Sequence, residues 1–303
     1  MKRFVINLMI FCMCFLLFDK LFIPVSIIDS SNQIDKRIKY IMEGNMNKEM
    51  LIFGSSRGAR DIIASRLELK TGLTSYNLSF PGADIEFQEF LLRNLLKFNK
   101  HPHTVILALD DPELFYNNER IKFRYEFLYP YINFHPVKEE MISRNEKNRL
   151  LSELLVLYRL NKSSFDFRQK HFSKYDTLTD CGSMPVSFYD ENDFKYIKNG
   201  QLYDQKLEIP SKIVAFRKFN ELCSANNILL ILVIPPNYKN HDVQFEGRID
   251  ALKNPQSLLY VFDQGNPEYL KKHNFHDASH LMIQGAEIFT DELGEYVNSP
   301  SSD

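Results

Sequence analysis

The feature that most constrains the fold is a rhythm of short β-type runs, each broken by small residues and followed by helical sequence. EMLIFGSS (49–56) is a brief apolar run ending in glycine and serines. RGARDIIASRLELKTG then places apolar residues at helical spacing and stops at Gly72, a suitable C-cap. LTSYNLSF (73–80) is a second β-type run, closed by PGAD, and DIEFQEFLLRNLLKFNK is a strongly amphipathic helix. HTVILALDD (103–111) is a third strand, apolar throughout. Strands that are apolar instead of alternating argue for a parallel sheet covered on both faces.

The rhythm breaks over residues 112–210, which are rich in Tyr, Phe and charge, with helical pattern near 137–160. We read this stretch as an insertion lying over the sheet edge. The rhythm resumes with the helix PSKIVAFRKFNELCSANN and with ILLILVIPP, the most hydrophobic strand of the chain. QSLLYVFDQ is a weaker fifth strand, and HLMIQGAEIFTDELGEYVNS closes the chain as an amphipathic helix. The expectation is an α/β, flavodoxin-like three-layer α/β/α sandwich with a five-stranded parallel sheet and an inserted aromatic-rich subdomain. In such sheets ligands bind at the carboxyl ends of the strands. Gly54-Ser55-Ser56, Ser79 to Gly82, Asp110-Asp111 and Pro235-Pro236-Asn237 should therefore converge.

The N-terminus carries a separate signal. Lys2 and Arg3 precede an uncharged run, Phe4–Phe18. As a helix this run covers about 22 Å, short of the roughly 30 Å of a hydrocarbon core. Leu21–Ile28 extend it when Asp19 and Lys20 sit at the interface. A cleaved signal peptide is the alternative, but no A-x-A-like site follows. An uncleaved signal anchor is the favoured reading, with the body of the chain extracytoplasmic because positive charge stays inside. The expected organisation is an anchor at 1–28, a linker at 29–48, an α/β domain from 49–111 and 211–297, and an insertion at 112–210. A net charge of −2 lends no support to nucleic-acid binding. Of four cysteines, Cys12 and Cys14 lie in the apolar run, and Cys181 and Cys223 are either paired or free.

Ser56 stands where a strand turns into a helix, which aims its hydroxyl off the sheet beside the positive helix end. Serine at such a position is also an ordinary N-cap. FHDASHLMIQGAEIF places Asp277 and His280 three residues apart, just before the last helix. Imidazole is the base suited to a serine hydroxyl near neutral pH, and a carboxylate on its other nitrogen fixes the tautomer. Asp-x-x-His is equally a capping pattern when it stands alone. The order Ser…Asp…His adds weight, being a known triad order. GSSRGAR lacks the glycine spacing and lysine of a phosphate loop. His101 and His103 lack further ligands for a metal, and His135, His171 and His241 are scattered. No metal or organic cofactor is expected.

These blocks resemble the SGNH (GDSL-like) hydrolases. FGSS is similar to their first block, which makes Ser56 the expected nucleophile. YNLSFPGAD is similar to their N-x-x-x-x-G block, which makes the N–H of Gly82 an expected oxyanion donor beside that of Ser56. DASHLMIQGA is similar to their last block, with Asp277 and His280 as the remaining triad members. One block departs: ALDDPEL puts Asp110 where the family carries an oxyanion-binding Asn. An ionised carboxylate there repels an oxyanion. Arg57, Asn117 and Asn118 are the alternative donors, and Arg57 is also a candidate to clamp substrate, against the plainer expectation of a solvated first-turn residue. The anchor together with these blocks looks most like the membrane-tethered branch of the superfamily, involved in exopolysaccharide O-acetylation and teichoic-acid D-alanylation. That likeness implies a serine esterase or O-acyltransferase, a cell-envelope carbohydrate substrate and a polytopic membrane acyltransferase as partner. The competing expectation is a non-catalytic accessory or binding protein of the same kind.

Overall fold

The computed structural model describes residues 1–166, 168, 172–173, 177–188 and 193–299. Five parallel strands form one sheet: β1 (Met50–Phe53), β2 (Ser75–Asn77), β3 (Thr104–Ala108), β4 (Leu229–Ile234) and β5 (Leu258–Val261). Their order is β2-β1-β3-β4-β5, the flavodoxin-like order, with helices on the sheet's faces. β1 and β3 are buried at every position, as their unbroken apolar runs require.

Alternate residues of β1, β3 and β4 serve opposite layers. Ile52, Ile106, Ile231 and Val233 pack with Leu67, Phe289 and Leu293 of the helices Ala64–Thr71 and Ile283–Asn298. On the other side Phe53 meets Phe219 edge-on at 5.5 Å, and Phe216 meets Phe115 at 5.3 Å. Both Phe216 and Phe219 belong to the helix Pro210–Ala225, which packs on the helix Ile85–Phe98.

Two local features differ from the sequence expectation, and a third settles an alternative left open there. The single helix expected after β1 is two, Ser56–Asp61 and Ala64–Thr71. Ile62 and Ile63 between them are extended, two consecutive β-branched residues that are poor helix formers and are buried. A further helix, Val243–Leu252, joins β4 to β5. Gly247 and the short apolar pattern around it hid this helix, and Asp242 caps it by accepting from Gln244 and Phe245 N–H. Cys181 and Cys223 do not pair; all four cysteines are free.

The chain forms two compact units, one of residues 1–42 with 124–171 and one of residues 43–123 with 172–303. The stretch 112–210 is thereby shared between them. Among the described residues, one helical stretch, Lys2–Asn32, is long and apolar enough to cross a membrane. It is made of the helices Lys2–Lys20 and Ile23–Asn32.

Candidate active site

The carboxyl ends of β1, β2, β3 and β4 meet through their backbones. Beyond β2 the chain keeps pairing with β1: Leu78 N–H donates to Ile52 O at 2.7 Å and Phe80 N–H to Gly54 O at 3.0 Å. Leu109 N–H donates to Val233 O at 2.8 Å, which holds β3 against β4. Gly54 has φ 151°, and a Cβ there would lie 3.0 Å from both Cβ and O of Ala108. Only glycine allows the sharp turn to run so close to β3. Gly58, one turn further, would meet the Ser79 side chain at 2.4 Å if it carried a Cβ.

This packing sets Ser56 at the start of the helix Ser56–Asp61. Its Oγ lies 2.8 Å from His280 Nε2. His280 Nδ1 lies 3.0 and 2.9 Å from the two carboxylate oxygens of Asp277. The segment 274–282 doubles back on itself: Phe275 bridges Leu281, His276 N–H donates to His280 O, and Met282 N–H donates to Asn274 O. Within that turn Asp277 also accepts from Ser279 N–H at 2.7 Å and His280 N–H at 3.0 Å. One side chain thus shapes its own loop and holds the imidazole.

Two further ties seat the loop. Ala278 O accepts from Tyr238 N–H. Leu281 N–H donates to Asp61 Oδ1 at 2.9 Å. Asp61 is fully buried on the same helix as Ser56, so a single carboxylate links the serine helix to the histidine loop. Sequence reasoning missed Asp61; its only signal is a lone acid among the small and apolar residues of GARDII.

The electrostatics follow from burial. Burial disfavours the imidazolium of His280, and with the charges of Arg60 and Arg57 it outweighs Asp277, which favours it, so the His280 pKa lies below the ordinary value. Burial opposes ionisation of Asp277, but its hydrogen bond and attraction to His280 win and hold it well below the carboxylate range. Burial pushes Asp61 up to about 8, against the pull of Arg57.

The other expected residues fall in three places. Gly82 closes the turn after Phe80, with φ 71°, two residues past the pairing with Gly54. Its carbonyl accepts from Lys122 N–H, and no acceptor for its own N–H is found among the described residues. Asp110 is 5% exposed and accepts a short hydrogen bond from Ser55 Oγ. Burial pushes its carboxyl up to about 6, although Ser55 and Arg57 pull it down. Arg57 is 3% exposed, far from a solvated residue. Its guanidinium donates to Leu109 O at 3.2 Å and to Pro235 O, fastening β3 to β4. Asn118 accepts from Arg120 N–H within its own turn, and Asn117 is exposed; neither contacts Ser56 or His280. His171 lies outside the described residues.

At the ends of β4 and β5 a cavity of about 390 Å³ opens among Tyr196, Asn237, Lys239, His241, Phe262 and Tyr269. Asn237 also reaches toward Asp111, 3.4 Å away, and Lys239 pairs with Asp111 at 3.0 Å. Among the described residues no group of three His, Cys, Asp or Glu side chains is placed to hold a metal ion.

Fold and constellation together define an α/β protein of flavodoxin-like strand order with a Ser–His–Asp array on the rim of its sheet. Among solved structures, an acetyl xylan esterase (Est2A) from the rumen bacterium Butyrivibrio proteoclasticus aligns with it at 9% identity and a TM-score of 0.34. The alignment covers 83% of this chain and 63% of that one, so the chain spans less than two thirds of its length. No family model and no curated protein matches the chain.

Proposed function

We propose that this chain is a serine-dependent esterase or O-acyltransferase of SGNH type. The reading rests on one observation above all, the 2.8 Å approach of Ser56 Oγ to an imidazole whose other nitrogen faces a carboxylate. A hydroxyl and base within about 3 Å, with the base oriented by a third group, are what nucleophilic catalysis needs. Ser56 Oγ attacks the acyl carbonyl and passes its proton to His280 Nε2. Asp277 holds the Nδ1 proton and stabilises the imidazolium. The N–H groups of Ser56 and Gly82 receive the oxyanion. On collapse the acyl group stays on Ser56 and the leaving alcohol takes the proton from His280. Water or a sugar hydroxyl then repeats the sequence in reverse, with His280 as base.

The substrate we assign is an acylated cell-envelope or exported polysaccharide. The resemblance of the anchor, the GSSR block, the IPP strand end and the D-x-x-H block to the membrane-tethered branch of the SGNH hydrolases supports it. In this reading the apolar Lys2–Asn32 stretch anchors the chain in the membrane, the α/β domain works outside the cytoplasm, and a polytopic acyltransferase supplies the acyl group.

A fluorophosphonate probe tests the chemistry. Labelling of Ser56, lost in His280→Ala, is the expected result. No labelling of the full chain under any condition sinks it. One observation favours a second reading, a binding protein that keeps the array without turnover: Asp110 offers an acceptor where the resembling family offers an oxyanion donor.

A further inference from the structure

The unit of residues 1–42 and 124–171 carries an apolar surface that acyl transfer does not use. Its helix Lys2–Lys20 has 19 residues. At about 1.5 Å per residue it spans about 28 Å, close to the roughly 30 Å of a hydrocarbon core. Asp19 and Lys20 therefore mark the depth of one membrane interface. Both are tied to a distant segment. The Asp19 carboxylate, fully buried, accepts from Val156 N–H at 2.8 Å and Leu157 N–H at 2.9 Å. Lys20 Nζ donates to Leu154 O at 2.8 Å. Phe22 meets Phe165 edge-on at 6.2 Å. The helices Arg149–Leu154 and Val156–Arg159 are thus held at the depth of Asp19 and Lys20.

Along Arg149–Leu154 every residue but Ser152 is exposed, Arg149 and Glu153 on one side of the helix and three leucines on another. Leu150, Leu151 and Leu154 are 65%, 38% and 49% exposed, while Ser152 is fully buried. Leu150 and Leu154 lie one turn apart on the same face and Leu151 lies about 100° round from Leu150, so the three leucines cover an apolar stripe of about 100°. Phe165 adds an exposed ring, and charged neighbours are engaged elsewhere: Arg149 with Glu139, Glu153 with Lys138, and Arg159 with the carbonyls of Ser152 and Glu153.

We propose that residues 149–165 form an interfacial element that dips Leu150, Leu151, Leu154 and Phe165 into the same bilayer that the Lys2–Lys20 helix crosses. The proposal rests on the anchor reading above. The bilayer is the occupant because Asp19 and Lys20 pin the leucines beside the end of the anchor helix and the Phe22–Phe165 contact joins the two apolar surfaces there, and a short apolar helix face held at interface depth is what buries in the headgroup–acyl boundary.

The chain contains no tryptophan, so one introduced indole reports alone. Leu150→Trp and Leu154→Trp of the full chain, reconstituted in phosphatidylcholine vesicles, are expected to emit to the blue and to be quenched about twofold by lipid brominated near the headgroup. Phe11→Trp is the standard for the anchor, quenched by lipid brominated at mid-chain. Leu270→Trp, exposed on the other unit, is the standard for water. Emission from both leucine positions like that of Leu270→Trp, with Phe11→Trp quenched, overturns the interfacial element and leaves the anchor standing. An unquenched Phe11→Trp overturns the anchor and the element with it. Blue emission at the leucine positions without lipid quenching overturns the bilayer as occupant and points to a protein contact.

Discussion

Ser55 and Ser56 are consecutive, and their hydroxyls meet opposite partners. Ser55 donates to the carboxylate of Asp110, whereas Ser56 lies against the imidazole of His280. Burial weakens the charged form of both acceptors: it pushes the Asp110 carboxyl up to about 6 and the His280 imidazole below its ordinary value. Access separates them. Ser55 is 1% exposed and Asp110 5%, so no ester reaches that pair. The His280 side chain is 17% exposed, and Ser56 is half-buried at the rim. Backing separates them further: in the proposed mechanism Asp277 stabilises the imidazolium that forms when Ser56 gives up its proton. The same step at Ser55 would leave an alkoxide sealed in the core. On the proposed function, one strand end presents two serines, one placed for chemistry and one for packing.

The largest expected effect breaks this comparison directly. Ser56→Ala or His280→Ala should abolish probe labelling and lower hydrolysis of an activated aryl ester by about 10³-fold or more. Ser55→Ala should keep the labelling and lose on the order of 1–3 kcal/mol of stability, because Asp110 is left without its donor. Labelling lost in Ser55→Ala but kept in Ser56→Ala would reverse the assignment.

Next in size is Asp277→Asn, expected to lower kcat by about 10²–10⁴-fold at neutral pH through loss of tautomer control and imidazolium stabilisation. The pH dependence sharpens it. The neutral imidazole is the active form, and a lowered pKa keeps it neutral further into acid. The rising limb of kcat/KM should therefore fall below about pH 6.5. Removing the Asp277 charge should move that limb further to acid. A limb above 6.5 in the native chain would show that burial does not control His280.

Asp61 offers a smaller test. Asp61→Ala leaves Leu281 N–H without its acceptor and should cost about 1–3 kcal/mol; labelling should slow as the histidine loop loosens from the serine helix. Asp61→Asn keeps an acceptor and should keep the labelling. The sign of the pH effect follows from a native carboxyl at about 8 against an ordinary 3.8. Between these values the folded chain holds a proton that the unfolded chain releases, so this group's contribution to stability falls as pH rises. Asp61→Asn should flatten the melting temperature between pH 5 and about 8. An unchanged slope would show that Asp61 carries its charge through its pairing with Arg57.

The layered fold was legible because each strand of the sheet announces itself: unbroken apolar runs at β1, β3 and β4, and turn residues at each end. The close approach of Ser56 to His280 was legible only as an expectation of convergence, since nothing within either segment fixes a distance across 224 positions. What the residues hid is what tertiary context decides. Arg57 reads as a surface cation until the carbonyls of Leu109 and Pro235 claim it. Ser55 and Asp61 act through partners 55 and 220 positions away. The exposed leucines of Arg149–Leu154 match any amphipathic helix until Ser152 proves to be the buried member.

The smallest effect on activity, and the one that bears on both readings of function, belongs to Asp110→Asn. The amide keeps an acceptor for Ser55 and removes the charge that burial disfavours. With a native carboxyl at about 6 and an ordinary 3.8, Asp110 favours the folded state less as pH rises across that window. The variant should therefore melt higher than the native chain at about pH 8, with the gain fading toward pH 4. Its effect on turnover should stay below about tenfold, since a side chain 5% exposed and bonded to Ser55 does not face an ester. Removing an oxyanion donor costs about 10²–10³-fold, so a gain of that size on adding the amide would mean that the native chain lacks a working donor there. Turnover would then belong to the variant and the native protein to the binding role. A gain below tenfold, with labelling of Ser56 intact, leaves the N–H groups of Ser56 and Gly82 to receive the oxyanion and Asp110 to brace the turn beneath them.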